Sequence, residues 1–67
     1  MSSLIINGEN YKYTASFTIL SLLEYLGFNT DLIVVDYNGM VLQKEFWAQT
    51  PVYTNDRLEI LTIAGGG

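Results

Sequence analysis

Apolar residues recur along this chain with two different periods. Between Thr18 and Leu26, the residues Ile19, Leu22, Leu23 and Leu26 fall at the three- and four-residue spacing that gives a helix one apolar face. Thr18 is a good N-cap, and Phe17 before it is positioned to staple onto Leu22. Gly27 supplies the left-handed residue on which helices commonly stop. Elsewhere the period is two. Leu4–Ile6, Tyr11–Thr14, Ile33–Tyr37, Met40–Leu42 and Arg57–Ile63 read as strands. Asn7-Gly8 and Asn38-Gly39 separate consecutive pairs of these runs, and Asn-Gly readily takes the positive φ of a tight hairpin turn. Lys44–Gln49 adds one helical turn that Pro51 stops, and Asn55-Asp56 makes a turn before the last strand.

Strand, strand, helix, strand, short strand, short helix, strand is the order of an α+β layer pair. With the first and last strands side by side it becomes a β-grasp: a mixed sheet with one main helix packed on one face. Residues 1–63 form the single domain, and 64–67 form a flexible glycine tail. Alternation sorts the strand residues by face. Leu4, Ile6, Ile33, Val35, Tyr37, Leu58 and Ile60 are assigned to the helix side, because this leaves Asp36 and Glu59 in water. Ile5, Val34, Leu61 and Ile63 then point outward. Either they form a docking patch near the tail, or side chains such as Tyr11 and Tyr13 cover them.

Composition narrows the chemistry. A content of 49 % apolar and 15 % charged residues marks a folded chain, and 67 residues allow one small core. The chain has no Cys and no His, which removes disulfides, a thiol nucleophile, the commonest general base and any ordinary zinc site. A net charge of −4 argues against nucleic acid and suits a partner with a basic groove. No apolar run reaches the length of a membrane span, and the N-terminus lacks a signal-peptide layout. Abundant Ile, Asn and Tyr point to an AT-rich genome, such as that of an organelle or a low-GC bacterium. The expected setting is cytoplasmic, or the plastid stroma if the chain is organelle-encoded.

The last strand runs directly into Ala64-Gly65-Gly66-Gly67. Glycine has no Cβ, so such a run passes through channels that other residues would block. Fully extended, four residues reach about 14 Å beyond the sheet. The terminal carboxylate is ionised at neutral pH and must be activated, for instance as an acyl-adenylate, before a nucleophile can take the acyl group. That chemistry needs no catalytic residue in this chain. The alternative is an inert, frayed end.

Several segments carry a resemblance when taken in order: INGEN, TILSLLEYLGF, IVVDYNGMVL, KEFWAQT and, most specifically, NDRLEILTIAGGG. Together they resemble the ThiS family of ubiquitin-like sulfur carriers in thiamine biosynthesis, over nearly the whole chain. The resemblance implies a β-grasp fold and a function. A ubiquitin-activating-type adenylyltransferase would use ATP to adenylate the Gly67 carboxylate, and a sulfur donor system would convert it to a thiocarboxylate. Thiazole synthase would receive the sulfur. Ala64, Gly65 and Gly66 would thread the partner's active site, while Ile5, Val34, Leu61 and Ile63 would seat the domain. The chain would be a cosubstrate rather than an enzyme, with no cofactor bound, and a monomer when free.

Three rival readings share parts of this pattern. The small subunit of molybdopterin synthase, of the MoaD family, uses the same chemistry but is usually longer, with Pro commonly near its glycines. A ubiquitin-like modifier ends in Gly-Gly, but ubiquitin has Arg just before the pair, where this chain has apolar Ile63-Ala64. A β-grasp binding module would carry an inert tail. Among other residues, Trp47 is read as filling a gap under the KEFWAQ turn. Asp56 is read as a turn former beside a solvated Arg57.

Overall fold

A computed structural model of the chain describes residues 1–63; the expected flexible tail, 64–67, lies outside the described residues. Five strands form one sheet: β1 (Ser2–Ile6), β2 (Glu9–Tyr13), β3 (Ile33–Tyr37), β4 (Met40–Leu42) and β5 (Arg57–Thr62). Their order across the sheet is β2-β1-β5-β3-β4. The last strand therefore sits in the centre. It runs parallel to β1 and antiparallel to β3, so the sheet is mixed and the β-grasp expectation holds. The single α-helix, α1 (Ile19–Tyr25), supplies Ile19, Leu22 and Leu23 to the core, as its spacing requires.

Local chemistry explains where the elements begin and end. Thr18 caps α1: its hydroxyl accepts from the Ser21 N–H at 3.1 Å, and Ser21 Oγ accepts from the Thr18 N–H at 2.9 Å. This is a capping box with serine in place of the usual Glu or Gln. At the other end the Phe28 N–H reaches the Leu23 carbonyl, the Gly27 N–H reaches the Glu24 carbonyl, and Gly27 takes φ +86°. Those are the two bonds of a Schellman stop. Phe17, expected to staple onto Leu22, packs against the core with its ring 5.3 Å from that of Tyr25 and 6.1 Å from that of Tyr13.

Both Asn-Gly pairs form the expected hairpin turns, with φ of 50° and 83° at Asn7-Gly8 and 51° and 92° at Asn38-Gly39. Two successive positive φ values match the right-handed twist of the flanking strands. A two-residue turn forces pairing to begin at once. For this reason β2 starts at Glu9, opposite Ile6, and ends at Tyr13 rather than spanning Tyr11–Thr14. Lys44–Gln49 is a 3₁₀ helix, with Trp47 buried beneath it at 1 % exposure and its indole N–H donating to the Leu42 carbonyl at 2.9 Å. The gap-filling role read for Trp47 is the one found.

The core lies between α1, the 3₁₀ helix and one face of the sheet. It contains Leu4, Ile6, Ile33, Val35, Leu58 and Ile60, with Tyr37 partly buried against them, as alternation assigned. Among the described residues, no helix is long and apolar enough to cross a membrane. Leu58 is fully buried on the central strand. Leu58→Ala should cost about 2–5 kcal/mol, most of what a core this size supplies. A urea titration followed by circular dichroism should show that variant largely unfolded under conditions in which the parent is folded.

Candidate functional site: the outer sheet face

The face of the sheet away from α1 is uncovered. Exposed positions on it are Arg57, Glu59, Leu61 and Ile63 from the β5 chain and Val34 from β3. Val34 lies directly opposite Leu61, so these two side chains form one cross-strand pair. Ile63 continues the row, its N–H donating to the Leu32 carbonyl at 2.7 Å, one step beyond the last paired residue of β5. Three of the four expected docking residues are therefore together at the end of the strand that leads into the tail.

Ile5 does not join them. It is half-buried and pairs with Arg57, at the opposite end of β5, with Glu59 between it and Leu61. The alternative of a tyrosine cover also fails. Tyr11 and Tyr13 pair with Leu4 and Ser2, in rows that carry core residues, so they stand on the helix side of the sheet. Two residues that the sequence reading passed over enlarge the apolar patch. Leu32 continues the alternation of Val34 one step before β3, and Val41 pairs with Asp36; both are exposed. Leu32 lies just outside the strand run that begins at Ile33, and the face of Val41 depends on the register that its turn imposes on β4.

The patch has an acidic border. Asp36 and Glu59 are direct cross-strand neighbours, next to the Val34–Leu61 pair. The one ion pair among the described residues lies elsewhere, between Lys44 and Asp31. There the lysine's hydrogen bond holds the Asp31 carboxyl below the usual range. No group of three or more His, Cys, Asp or Glu gathers into a metal site among the described residues.

Beside this face, at the start of β5, is a polar cluster that sequence reasoning underrated. Asp56, read as a turn former, does close the turn after Tyr53, but it is also only 8 % exposed. Its Oδ2 accepts from the Tyr37 hydroxyl at 2.7 Å and from the Tyr53 N–H at 2.8 Å, and its Oδ1 accepts from Asn38 Nδ2 at 3.1 Å. A buried carboxylate survives only with such donors. Arg57 is exposed beside it, as expected. Burial, then the hydrogen bond to Asp56, pushes the Tyr37 hydroxyl up to about 12.

This is a ubiquitin-like β-grasp domain whose central strand borders an open apolar patch and points into a glycine tail. Residues 4–67 match the ThiS family, and the chain belongs to it. It is 38 % identical to protein ycf40 of Trieres chinensis over 65 residues, covering 97 % of this chain and 89 % of that one. It is 35 % identical to ycf40 of Porphyra purpurea, covering 97 % and 92 %. A thiazole synthase of Paramagnetospirillum magneticum contains a region 39 % identical to 96 % of this chain, which spans 20 % of that protein. Among solved structures, the crystal structure of the thiamine biosynthesis protein ThiS from Geobacter metallireducens superposes with a TM-score of 0.83. It is 31 % identical, covering 97 % of this chain and 99 % of the other.

The geometry yields two expectations. Leu61 is 63 % exposed, so Leu61→Asp should change stability by no more than about 0.5 kcal/mol. A large drop in melting temperature would mean that Leu61 packs against the domain. For Tyr37, a raised folded pKa means that the folded state holds the phenolic proton more tightly than the unfolded chain does. That contribution is complete below about pH 10 and disappears as pH rises through about 12. Denaturant midpoints measured across this window should fall less steeply for Tyr37→Phe than for the parent.

Proposed function

We propose that this protein is a sulfur carrier of thiamine biosynthesis, working through the carboxylate of Gly67. An activating enzyme adenylates that carboxylate with ATP, releasing pyrophosphate. A sulfur donor system displaces the adenylate to give a thiocarboxylate, and thiazole synthase takes the sulfur. The chain is the cosubstrate of these enzymes and supplies no catalytic group of its own. The observation that carries this reading is the extent of the family match, which runs through the glycines to residue 67. The ThiS-like region within a thiazole synthase supports that enzyme as a partner, since joining two proteins in one chain favours pairs that must meet.

In this reading the patch of Val34, Leu61 and Ile63, enlarged by Leu32 and Val41, seats the domain on both partners. Ile5 contributes from a separate position near Arg57. The acidic pair Asp36 and Glu59 selects partner surfaces with a basic rim. Ala64, Gly65 and Gly66 then thread the partner's channel, which at Gly65 and Gly66 is too narrow for a side chain. The ycf40 relatives support the plastid stroma as the setting.

Pyrophosphate exchange with the cognate activating enzyme tests the central claim. Gly66→Ala should reduce exchange on the order of 100-fold, because a misplacement of about 1 Å at a reacting group costs that much. One residue added after Gly67 should act similarly, and neither change should alter the melting temperature. Exchange at the parent rate in both variants would remove Gly67 as the working group. In protein isolated from its host, the expected signature is a mass gain of sulfur for oxygen at the C-terminus; a ladder of protein conjugates would instead mark a modifier.

A further inference from the structure

The two hairpin turns have a chemical liability as well as a conformational one. In an Asn-Gly pair nothing on the glycine shields its backbone nitrogen from the asparagine Cγ. When a base takes the glycine N–H proton, the nitrogen bonds to Cγ, and the Cγ–Nδ2 bond breaks with loss of ammonia. Water then opens the resulting succinimide to aspartate or isoaspartate. Both asparagines are exposed, so burial does not protect them.

We infer that Asn7 and Asn38 are latent deamidation sites masked by their hydrogen bonds to β5, and that conversion of Asn38 disables the anchor of the central strand. At the first turn, Asn7 Oδ1 accepts from the Ile60 N–H at 2.7 Å and Nδ2 donates to the Ile60 carbonyl at 3.3 Å. At the second, Asn38 Oδ1 accepts from the Arg57 N–H at 2.8 Å and Nδ2 donates to Asp56 Oδ1 at 3.1 Å. The Gly39 N–H, which would have to react, donates to Asp36 Oδ1 at 2.9 Å. At Asn38 attacking atom and target are therefore tied to different partners, whereas at Asn7 the side-chain amide alone is held. Reaction at either site requires the asparagine side chain to leave its bonds to β5.

The two products are not equivalent. An aspartate at position 7 still accepts from the Ile60 N–H and merely faces a carbonyl with its other oxygen. An aspartate at position 38 faces the carboxylate of Asp56, which is buried and already accepts from Tyr37 and Tyr53. Two like charges at hydrogen-bond distance, one of them buried, repel strongly. Each opening of the fold thus carries a risk of irreversible damage, and the damage at Asn38 favours further opening.

The test uses the full chain, incubated at mildly alkaline pH either folded or in urea, with peptide mapping of amide-to-acid conversion. Conversion at both sites should be slower in the folded protein on the order of 100-fold or more, since the amides react only from open states. Equal rates would overturn the masking. Asn38→Asp should lower the melting temperature at neutral pH by roughly 10 °C or more, and Asn7→Asp by clearly less. Asn38→Gly keeps the positive φ without the charge and should melt between the parent and Asn38→Asp. If Asn38→Asp fails to fold at neutral pH, Asn38→Gly must still fold. An Asn38→Gly variant no more stable than Asn38→Asp, or an Asn38→Asp variant as stable as the parent, would overturn the repulsion.

Discussion

The structure depends on one strand being held from both sides where its neighbours run out. β5 pairs with β1 only briefly, through Ile5 and Ile6, before that strand turns at Asn7. The Asn7 amide then takes over, bonding both the N–H and the carbonyl of Ile60 as another strand residue would. On the other edge β3 turns at Asn38, whose own N–H donates to the Arg57 carbonyl while its side chain accepts from the Arg57 N–H. Without these side-chain bonds, backbone groups of a central strand would lose partners, at about 1–3 kcal/mol for each one buried. Asp56 secures the second anchor from behind, joining the turn at Asn38 to Tyr37 and to the Tyr53 backbone.

Because β5 is central, its two faces have separate tasks. Leu58 and Ile60 stand under the helix and hold the layers together, whereas Glu59, Leu61 and Ile63 face outward. Alternation along six residues thus divides stability from contact, residue by residue. A substitution on the outer face should leave the core in place, which makes the strand suited to carry exposed apolar residues on a very small core.

The fold was legible because its strongest signals are local. The helix stripe from Ile19 to Leu26, the two Asn-Gly turns and Gly27 each act within a few residues, and each was found at its expected place. The two faces of β1, β3 and β5 followed from alternation, with Asp36 and Glu59 deciding which face meets water. What could not be read depends on register between distant segments. The bond from Asn7 to Ile60 joins residues 53 apart in sequence, and the bond from Tyr37 to Asp56 joins residues 19 apart. No local pattern distinguishes an asparagine that only turns the chain from one that also replaces a strand. Ile5 was grouped with Leu61 for the same reason: alternation gives the face of a residue, but only the pairing with Arg57 gives its height along the strand.

The central position of β5 also decides how the domain bears a load. If a partner grips the residues after Ile63 and draws them along the strand axis while the outer face is seated, the pull enters at the end of β5. Ladder bonds to β1 and β3 lie across that axis, so they are sheared together rather than peeled one at a time from an edge. The anchors at Asn7 and Asn38 share that force. A domain built this way can be pulled from the end of its last strand without unravelling, although its core is among the smallest that fold alone.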